Sequence, residues 1–221
     1  MAVKVFVPGR PGSGKSVAIR CMAELAGDRG LSTTHVKDYT VLQKMFVQDR
    51  DKEHRQFRQT DYGGFDVCDF SVLDAAIEQL DEDIQKLEDA HDNSVIFIEF
   101  ARENYKASFD LFKKTPLNTA YFLFVESDLE DCIERIYKRV CERQQPDHHF
   151  VSEYIMRTYY DKDNWTYMKT NFARDFGIQE QHIATVYNNG SFEEFLRNMK
   201  SSADALFHTA LNVQEELISI R

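Results

Sequence analysis

Apolar and polar positions along the chain alternate between short unbroken runs and longer periodic stretches. "VKVFV" (Val3–Val7) is β-branched and apolar apart from Lys4, and its length suits one strand buried on both faces. "KSVAIRCMAELAGDRG" then places Val17, Ile19, Met22, Ala23, Leu25 and Ala26 on one broad face, which predicts a helix closed by Gly30. "STTHVKD" (Ser32–Asp38) predicts a second strand. "VLQKMFVQDRDKEHRQFRQ" reads as a charged helix, and "TDYGGFDVCDF" as a loop with Gly63 and Gly64 at its tip. The clearest amphipathic helix is "SVLDAAIEQLDEDIQKLEDAH". Leu73, Ala76, Ile77, Leu80, Ile84 and Leu87 recur three and four apart behind Ser71 as the expected cap.

"SVIFIEF" (Ser94–Phe100) and "NTAYFLFVES" predict the third and fourth strands. "DLEDCIERIYKRVCER" predicts a helix with Leu129, Cys132, Ile133, Ile136 and Val140 on one side. "QQPDHHFVSEYIMRTYYDKDNWTYMK" opens as a loop and turns helical near Val151, and "HIATVYNNGS" holds a fifth strand. From Phe192 to Ile220, Phe195, Met199, Leu206, Ala210 and Leu217 mark a last helix, expected to pack within the chain. Strands alternating with helices give an α/β protein of three layers, a five-stranded, mostly parallel sheet flanked by helices. No linker or repeat interrupts the pattern. One domain over residues 1–221 is expected, with an insertion at about 39–90 and a helical lid at about 135–160.

Composition adds limits. The 221 residues include 17 Phe and 10 Tyr, ample material for a core. The formal charge of −10 sets the average surface against nucleic-acid backbone and anionic membrane, so any phosphate must be held by a focused cationic cluster. Cys21, Cys68, Cys132 and Cys141 are scattered without a C-x-x-C pair, which points to free thiols in a reducing compartment. The apolar runs are too short for a secretory h-region or a membrane span, so a soluble cytoplasmic protein is expected.

The chemistry begins at "VPGRPGSGKS". Residues Gly9, Arg10, Pro11, Gly12, Ser13, Gly14, Lys15 and Ser16 match G-x-x-x-x-G-K-[ST] in full, between a predicted strand and a predicted helix. Glycines let backbone N–H groups wrap a phosphate, and the helix start, from Lys15 through Val17, adds its positive dipole end. Lys15 is placed to reach the β- and γ-phosphates, and the Ser16 hydroxyl to ligate Mg²⁺. The loop specifies a nucleoside triphosphate without saying where the phosphoryl group goes. No N-K-x-D guanine signature is present, and "VIFIEFARE" ends in Glu99 followed by Arg102 where a motor ATPase has Asp or Asp-Glu. Arg135, Arg139 and Arg143, spaced by four, share one helical face. They suit either closure over a transferring phosphoryl group or a solvated face paired with Asp131, Glu134 and Glu142.

Taken together, "GRPGSGKS", "HVKD", "VIFIEFAR", "YFLFVESDLEDCIERIYKRVCER" and "VYNNGSFEEF" resemble the adenylate-kinase-like P-loop kinases over most of the chain. The resemblance implies a central parallel sheet, a lid, ATP with Mg²⁺ as donor, and an adenine site bordered by the strand running into Asn-x-Gly-Ser, with Asn189 as candidate. Nucleoside monophosphate kinases of this family carry T-G-D-x-x-R, where this chain has Val41 at the arginine position. They also have an arginine four residues beyond the strand-end acid, where Arg102 follows Glu99 by three. "RQQPDHHFVSEYIMRTYY" instead resembles the lid stretch of gluconate-kinase-like, polynucleotide-kinase-like and zeta-toxin-like enzymes, which implies a hydroxyl acceptor and Asp38 as its base or hydroxyl-orienting group. A hydroxyl must shed a proton, and a carboxylate in reach can take it.

The expected catalytic set is therefore Lys15, Asp38, Glu99, Arg102, Arg135, Arg139 and Arg143. Asp38 has a helix N-cap as its plainer role, and Glu99 an outer Mg²⁺ contact or a paired strand-end carboxylate. Arg50, Arg55 and Arg58 with Tyr62, Phe65 and Phe70 are candidates for the acceptor pocket, the aromatics equally for the core. His148 and His149 lack ligand-spaced partners and are expected in the lid loop. The acceptor is expected to be a small molecule or nucleoside. Alternatives are a nucleoside monophosphate, a polynucleotide 5′-hydroxyl (against which the acidic charge weighs) and a non-kinase regulatory ATP-binding module. A monomer or homodimer without membrane partners is expected.

Overall fold

A computed structural model describes residues 2–50, 52, 55–90, 94–141 and 150–219, with the side chains of 89, 90 and 211–219 left aside. The strands are β1 (Val3–Pro8), β2 (Ser32–Lys37), β3 (Phe57–Gln59), β4 (Phe65–Val67), β5 (Ser94–Phe100), β6 (Tyr121–Glu126) and β7 (Ile183–Tyr187). The helices are α1 (Lys15–Gly27), α2 (Asp38–Asp49), α3 (Ser71–Ala90), α4 (Tyr105–Phe109), α5 (Leu129–Cys141), α6 (Glu153–Thr158), α7 (Trp165–Thr170), α8 (Phe172–Phe176) and α9 (Phe192–Ser219).

Five strands form one sheet in the order β2-β5-β1-β6-β7, and every pairing in it is parallel rather than most of them. β1 is central, pairing Val3 with Val95 through Pro8 with Phe100 on one side and Val5 with Tyr121 on the other. The period of two splits its apolar run between two cores. Val3, Val5 and Val7 face α1 and α9, meeting Ile19, Met22, Phe195 and Met199. Phe6 faces the opposite layer, among Phe109, Phe112, Phe122 and α3 residues Ile77, Leu80 and Ile84. That second core is strongly aromatic: Phe6 stacks on Phe122 at 5.3 Å, and Phe109 lies 4.8 Å from Phe172. The last helix packs within the chain as expected, with Phe195, Met199, Ala203, Leu206 and Phe207 against the sheet.

Several local expectations are corrected. α1 ends at Gly27, and Gly30 closes the following turn in the left-handed region (φ 74°) while Leu31 N–H reaches back to the Ala26 carbonyl at 3.0 Å. The charged stretch after α2 does not continue as helix. Asp49, almost fully buried, accepts from the Gln56 and Phe57 N–H groups at 2.8 and 3.1 Å and so turns the chain into β3. The expected glycine-tipped loop is the antiparallel hairpin β3–β4, whose apolar side, Phe57 and Phe65, packs on Val41, Leu42 and Leu73. At the start of α3 the acceptor is Asp69, which takes the Ser71 N–H at 3.0 Å, rather than the Ser71 hydroxyl. Among the described residues no helix is long and apolar enough to cross a membrane.

Phe109 sits in a five-residue helix too short to be stable alone and is held by ring contacts to Phe6, Phe100, Phe122 and Phe172. Phe109→Ala should lower unfolding stability by roughly 3–5 kcal/mol in urea titration. Phe192→Ala, at a residue 60% exposed, should stay within about 0.5 kcal/mol of the parent.

Candidate active site

The loop between β1 and α1 is shaped by how closely its backbone approaches its neighbours. A side chain at Gly9 would run into the Val125 carbonyl oxygen at the end of β6. Gly12 and Gly14 take φ of 84° and 111°, which side-chain-bearing residues rarely adopt. A Cβ on Gly14 would also stand 2.7 Å from the Asn188 amide nitrogen. Gly14 is the N-cap of α1, its carbonyl taking the Val17 and Ala18 N–H groups, and no side chain caps this helix start. Lys15 is buried, with Nζ donating to the Gly9 and Arg10 carbonyls at 2.9 and 3.0 Å and 3.8 Å from the Glu99 carboxylate. Burial pushes its ammonium below the ordinary lysine pKa, against the pull of Glu99 and Asp38. The Ser13 hydroxyl is buried without a hydrogen-bond partner among the described residues.

A glycine cradle at an uncapped helix start, a buried ammonium and an orphaned buried hydroxyl together fit a bound phosphate chain. Mg²⁺ is usually held by one or two protein oxygens and the substrate phosphates, and Ser16, half-buried in the first turn, and Glu99 are oxygen donors of the right kind.

The arginines expected around the transferred group divide sharply. Arg10 points away from the cradle, to the Ser127 and Lys162 carbonyls at 3.0 and 3.1 Å and to Glu126 at 3.6 Å. Arg135 donates to Ser127 Oγ and the Asn188 carbonyl, both at 2.8 Å, and lies 3.5 Å from the Gly12 carbonyl, so it braces the loop from outside. Arg102 is 3% exposed and pairs with Asp38, its other bonds going to the Ala101 and Leu73 carbonyls at 2.6 and 2.7 Å. These bonds come from its two terminal nitrogens, and its buried Nε has no hydrogen-bond partner among the described residues. Arg139 is half-buried, its guanidinium pulled below the usual arginine pKa by burial and acted on by Glu99, Cys132, Arg135 and Arg20. It carries no hydrogen bond or ion pair among the described residues. Arg143, His148 and His149 lie outside the described residues.

Asn189 is turned toward β6, accepting from Ser127 Oγ and the Asp128 N–H at 2.9 Å each. The residue that touches the glycine loop is its neighbour Asn188, whose Nδ2 donates to the Ser13 carbonyl at 2.8 Å. Asn188 is the Asn of the Asn-x-Gly-Ser pattern itself, so the spacing already marked it.

Beside the cradle lies a cavity at the carboxyl end of the sheet, where ligands of parallel sheets bind. Lys15, Asp38 and Glu99 line it together with the apolar side chains of Leu42, Phe65, Leu73, Val151 and Ile155. Asp38 is the first residue of α2 and not its cap, a place held by Lys37. Glu99 Oε2 lies 3.0 Å from His35 Nε2. The outer wall joins two distant segments. Asp66 of β4 accepts from the Ser152 N–H at 3.2 Å, Gly64 presses on the Phe150 carbonyl, and Tyr62 lies 4.8 Å from the Phe150 ring.

Of the candidate pocket residues, Phe65 lines the cavity while stacking on Tyr39 at 5.5 Å, and Phe70 is exposed and stacks on Tyr159 at 4.6 Å. Arg58 holds Asp66 from outside at 3.0 Å. Arg50 and Arg55 border a different depression with Phe46 and Asp49. Asp66, 2% exposed, went unmarked by sequence because a lone Asp in a presumed loop is ordinary turn chemistry.

With this geometry in view, no family model matches the chain, and no curated protein matches it. Solved structures do. A gluconokinase from Sinorhizobium meliloti 1021 aligns over 97% of both chains with a TM-score of 0.51 and 16% identity. A sugar kinase from Janibacter sp. HTCC2649 covers 93% of this chain and 96% of its own, with a TM-score of 0.51 and 15% identity. An APS kinase from Mycobacterium tuberculosis, in complex with AMPPNP and APS, covers 93% and 97%, with a TM-score of 0.51 and 12% identity. The chain therefore has the three-layer α/β fold of the P-loop small-molecule kinases.

Removing Arg102 strands the buried Asp38 carboxylate. Arg102→Leu should cost roughly 3–5 kcal/mol of stability. Arg139→Ala, which breaks no bond among the described residues, should leave stability within about 1 kcal/mol. Thermal melts of the two purified variants separate them.

Proposed function

We propose that the protein is an ATP- and Mg²⁺-dependent kinase that transfers the γ-phosphoryl group to a hydroxyl of a small-molecule or nucleoside-type acceptor. The observation that carries this reading is the meeting of the glycine cradle and the neighbouring cavity at three groups, Lys15, Asp38 and Glu99. The fold neighbours named gluconokinase, sugar kinase and APS kinase support a small-molecule acceptor. In this reading residues 39–90 carry the acceptor side and residues 135–160 the lid, as parts of one domain.

Each group then has a role. The loop N–H groups and Lys15 hold the β- and γ-phosphates and offset charge that builds on the oxygens between ADP and the transferred group. The Ser16 hydroxyl and the Glu99 carboxylate are the oxygen donors that would hold Mg²⁺, which would supply further charge neutralisation when bound. Asp38 accepts the acceptor's hydroxyl proton as that oxygen bonds to phosphorus and the bond to the ADP oxygen breaks. Arg102 acts through Asp38 by fixing the orientation of its carboxylate. Arg139, held near Glu99 with its donors unspent among the described residues, is the arginine best placed to meet the transferring group.

Lys15→Ala should reduce acceptor-dependent ADP formation by about 10²-fold or more while the fold persists by circular dichroism. Asp38→Asn should lower kcat by roughly 10²–10⁴-fold and leave ATP affinity within about twofold. A parallel loss of kcat and ATP affinity would make Asp38 part of the donor site instead. ATP turnover that no acceptor accelerates would favour a regulatory ATP-binding module.

A further inference from the structure

The two carboxylate oxygens of Glu99 meet different neighbours. Oε1 lies 3.8 Å from Lys15 Nζ, and Oε2 lies 3.0 Å from His35 Nε2. These contacts differ in kind. Lys15 already donates to the Gly9 and Arg10 carbonyls, and at 3.8 Å it attracts Glu99 without a directed bond. His35 is within hydrogen-bond distance. An ionised carboxylate only accepts, so the bond places a proton on Nε2. Glu99 has a further interaction as well, but the His35 bond is directed at one oxygen.

The sheet brings the pair together. β2 is the edge strand beside β5, with His35 opposite Phe97 and Lys37 opposite Glu99. Side chains alternate between faces, so His35 and Glu99 emerge on the face where Phe97 packs with α1, diagonally across the two strands. A ring on a strand has fewer rotatable bonds than a lysine or arginine stem, so less freedom is lost in holding it. The Glu99 side chain is 11% exposed and that of His35 33%. A nearly buried carboxylate is thus met from the sheet edge by a ring that still reaches solvent. His35 lies outside the lining of the cavity and touches the site through Glu99.

We infer that His35 is a positioning residue: it fixes the rotation of the Glu99 carboxylate and so keeps Oε1 on the side of Lys15. The role rests on the Mg²⁺–nucleotide reading above; the bond does not. Glu99 is one of the oxygen donors that would hold Mg²⁺. A carboxylate ordered beforehand by a hydrogen bond has less freedom to lose when a metal or a phosphate chain is bound. Arg102 stands in the same relation to Asp38. The donor side and the acceptor side of the site would then each have one acid held by a cationic or ring donor outside the cavity lining.

Two measurements on the full chain test this. In the first, AMPPNP binding is followed by calorimetry, once in EDTA and once with Mg²⁺ in excess, for the unmodified protein and for His35→Ala, His35→Phe and His35→Gln. Phe keeps the bulk of the ring without a donor, and Gln keeps a donor at similar reach without the ring. In Ala and Phe the Kd in Mg²⁺ should rise about tenfold while the Kd in EDTA stays within about twofold. Gln should remain within about threefold of the unmodified protein in both conditions. Equal losses with and without Mg²⁺, or a Phe variant that binds like the unmodified protein while Gln does not, mark a packing role and overturn the inference. Variants that leave both affinities unchanged also overturn it. An unmodified protein that binds AMPPNP in neither condition overturns the nucleotide reading and the role of His35 with it, and this result is visible before any substitution is made. In the second measurement, long-range ¹H–¹⁵N spectra of the unmodified protein should show the His35 ring protonated at Nε2. A ring protonated at Nδ1 alone removes the bond and overturns the inference, and this spectrum stands even where a variant does not fold by circular dichroism.

Discussion

The whole site depends on a backbone approach so close that it leaves no room for a Cβ. Gly9 lies against the Val125 carbonyl, which fixes the glycine loop to the end of β6 and sets where the loop's N–H groups converge. Everything nearby reinforces that seat. Asn188 reaches in from the end of β7 to the Ser13 carbonyl, Arg135 from α5 links the Asn188 carbonyl to Ser127, and Arg10 ties the loop to Ser127 and Lys162. Three parallel strands, β1, β6 and β7, thus contribute their carboxyl ends to one rigid rim. The cores behind them, apolar on the α1–α9 side and aromatic on the other, keep those ends in register.

Charge is arranged in the same spirit. The buried acids near the loop each have a partner: Asp38 has Arg102, Glu99 has Lys15 and the exposed His35, and Glu126 has Arg10. Burial raises the Glu126 carboxyl above the usual range, with Arg10 pulling the other way. Such sets are weak sources of net stability, because desolvation takes back most of the Coulomb gain, but breaking one leaves an uncompensated charge. Their value is positional. Arg102 gives the Asp38 carboxylate one orientation, and Lys15 is drawn to one end of the cavity.

The fold was legible because its signals were long or redundant. A continuous apolar run, a full glycine-loop motif and a helix with six apolar positions in period left little latitude for β1, the loop or α3. The β3–β4 hairpin was hidden because its strands are three residues each and Arg55, Arg58 and Gln59 give the stretch the look of a solvated helix. Its apolar signal, Phe57 and Phe65, makes sense only once α2 and α3 are known to lie beneath it. The arginines show a different limit. Spacing places Arg135 and Arg139 on one face but does not say which carbonyl a long, flexible guanidinium will find. Arg135 is consumed as a brace, while Arg139 stays uncommitted among the described residues. For Asn188 and Asn189 adjacent identical side chains point to different neighbours, a distinction carried by the turn after β7 and not by composition.

Asp66 and Val151 both line the cavity and are more than eighty positions apart, in segments that meet where Gly64 and Asp66 touch Phe150 and Ser152. No single element supplies both residues, so the shape of the cavity depends on how the hairpin and residues 150–152 before α6 stand to each other. By thermodynamic linkage the dependence runs both ways. Whatever free energy a bound molecule gains from this wall is the free energy by which it holds the two segments together, and an agent that separates them weakens its binding by the same amount.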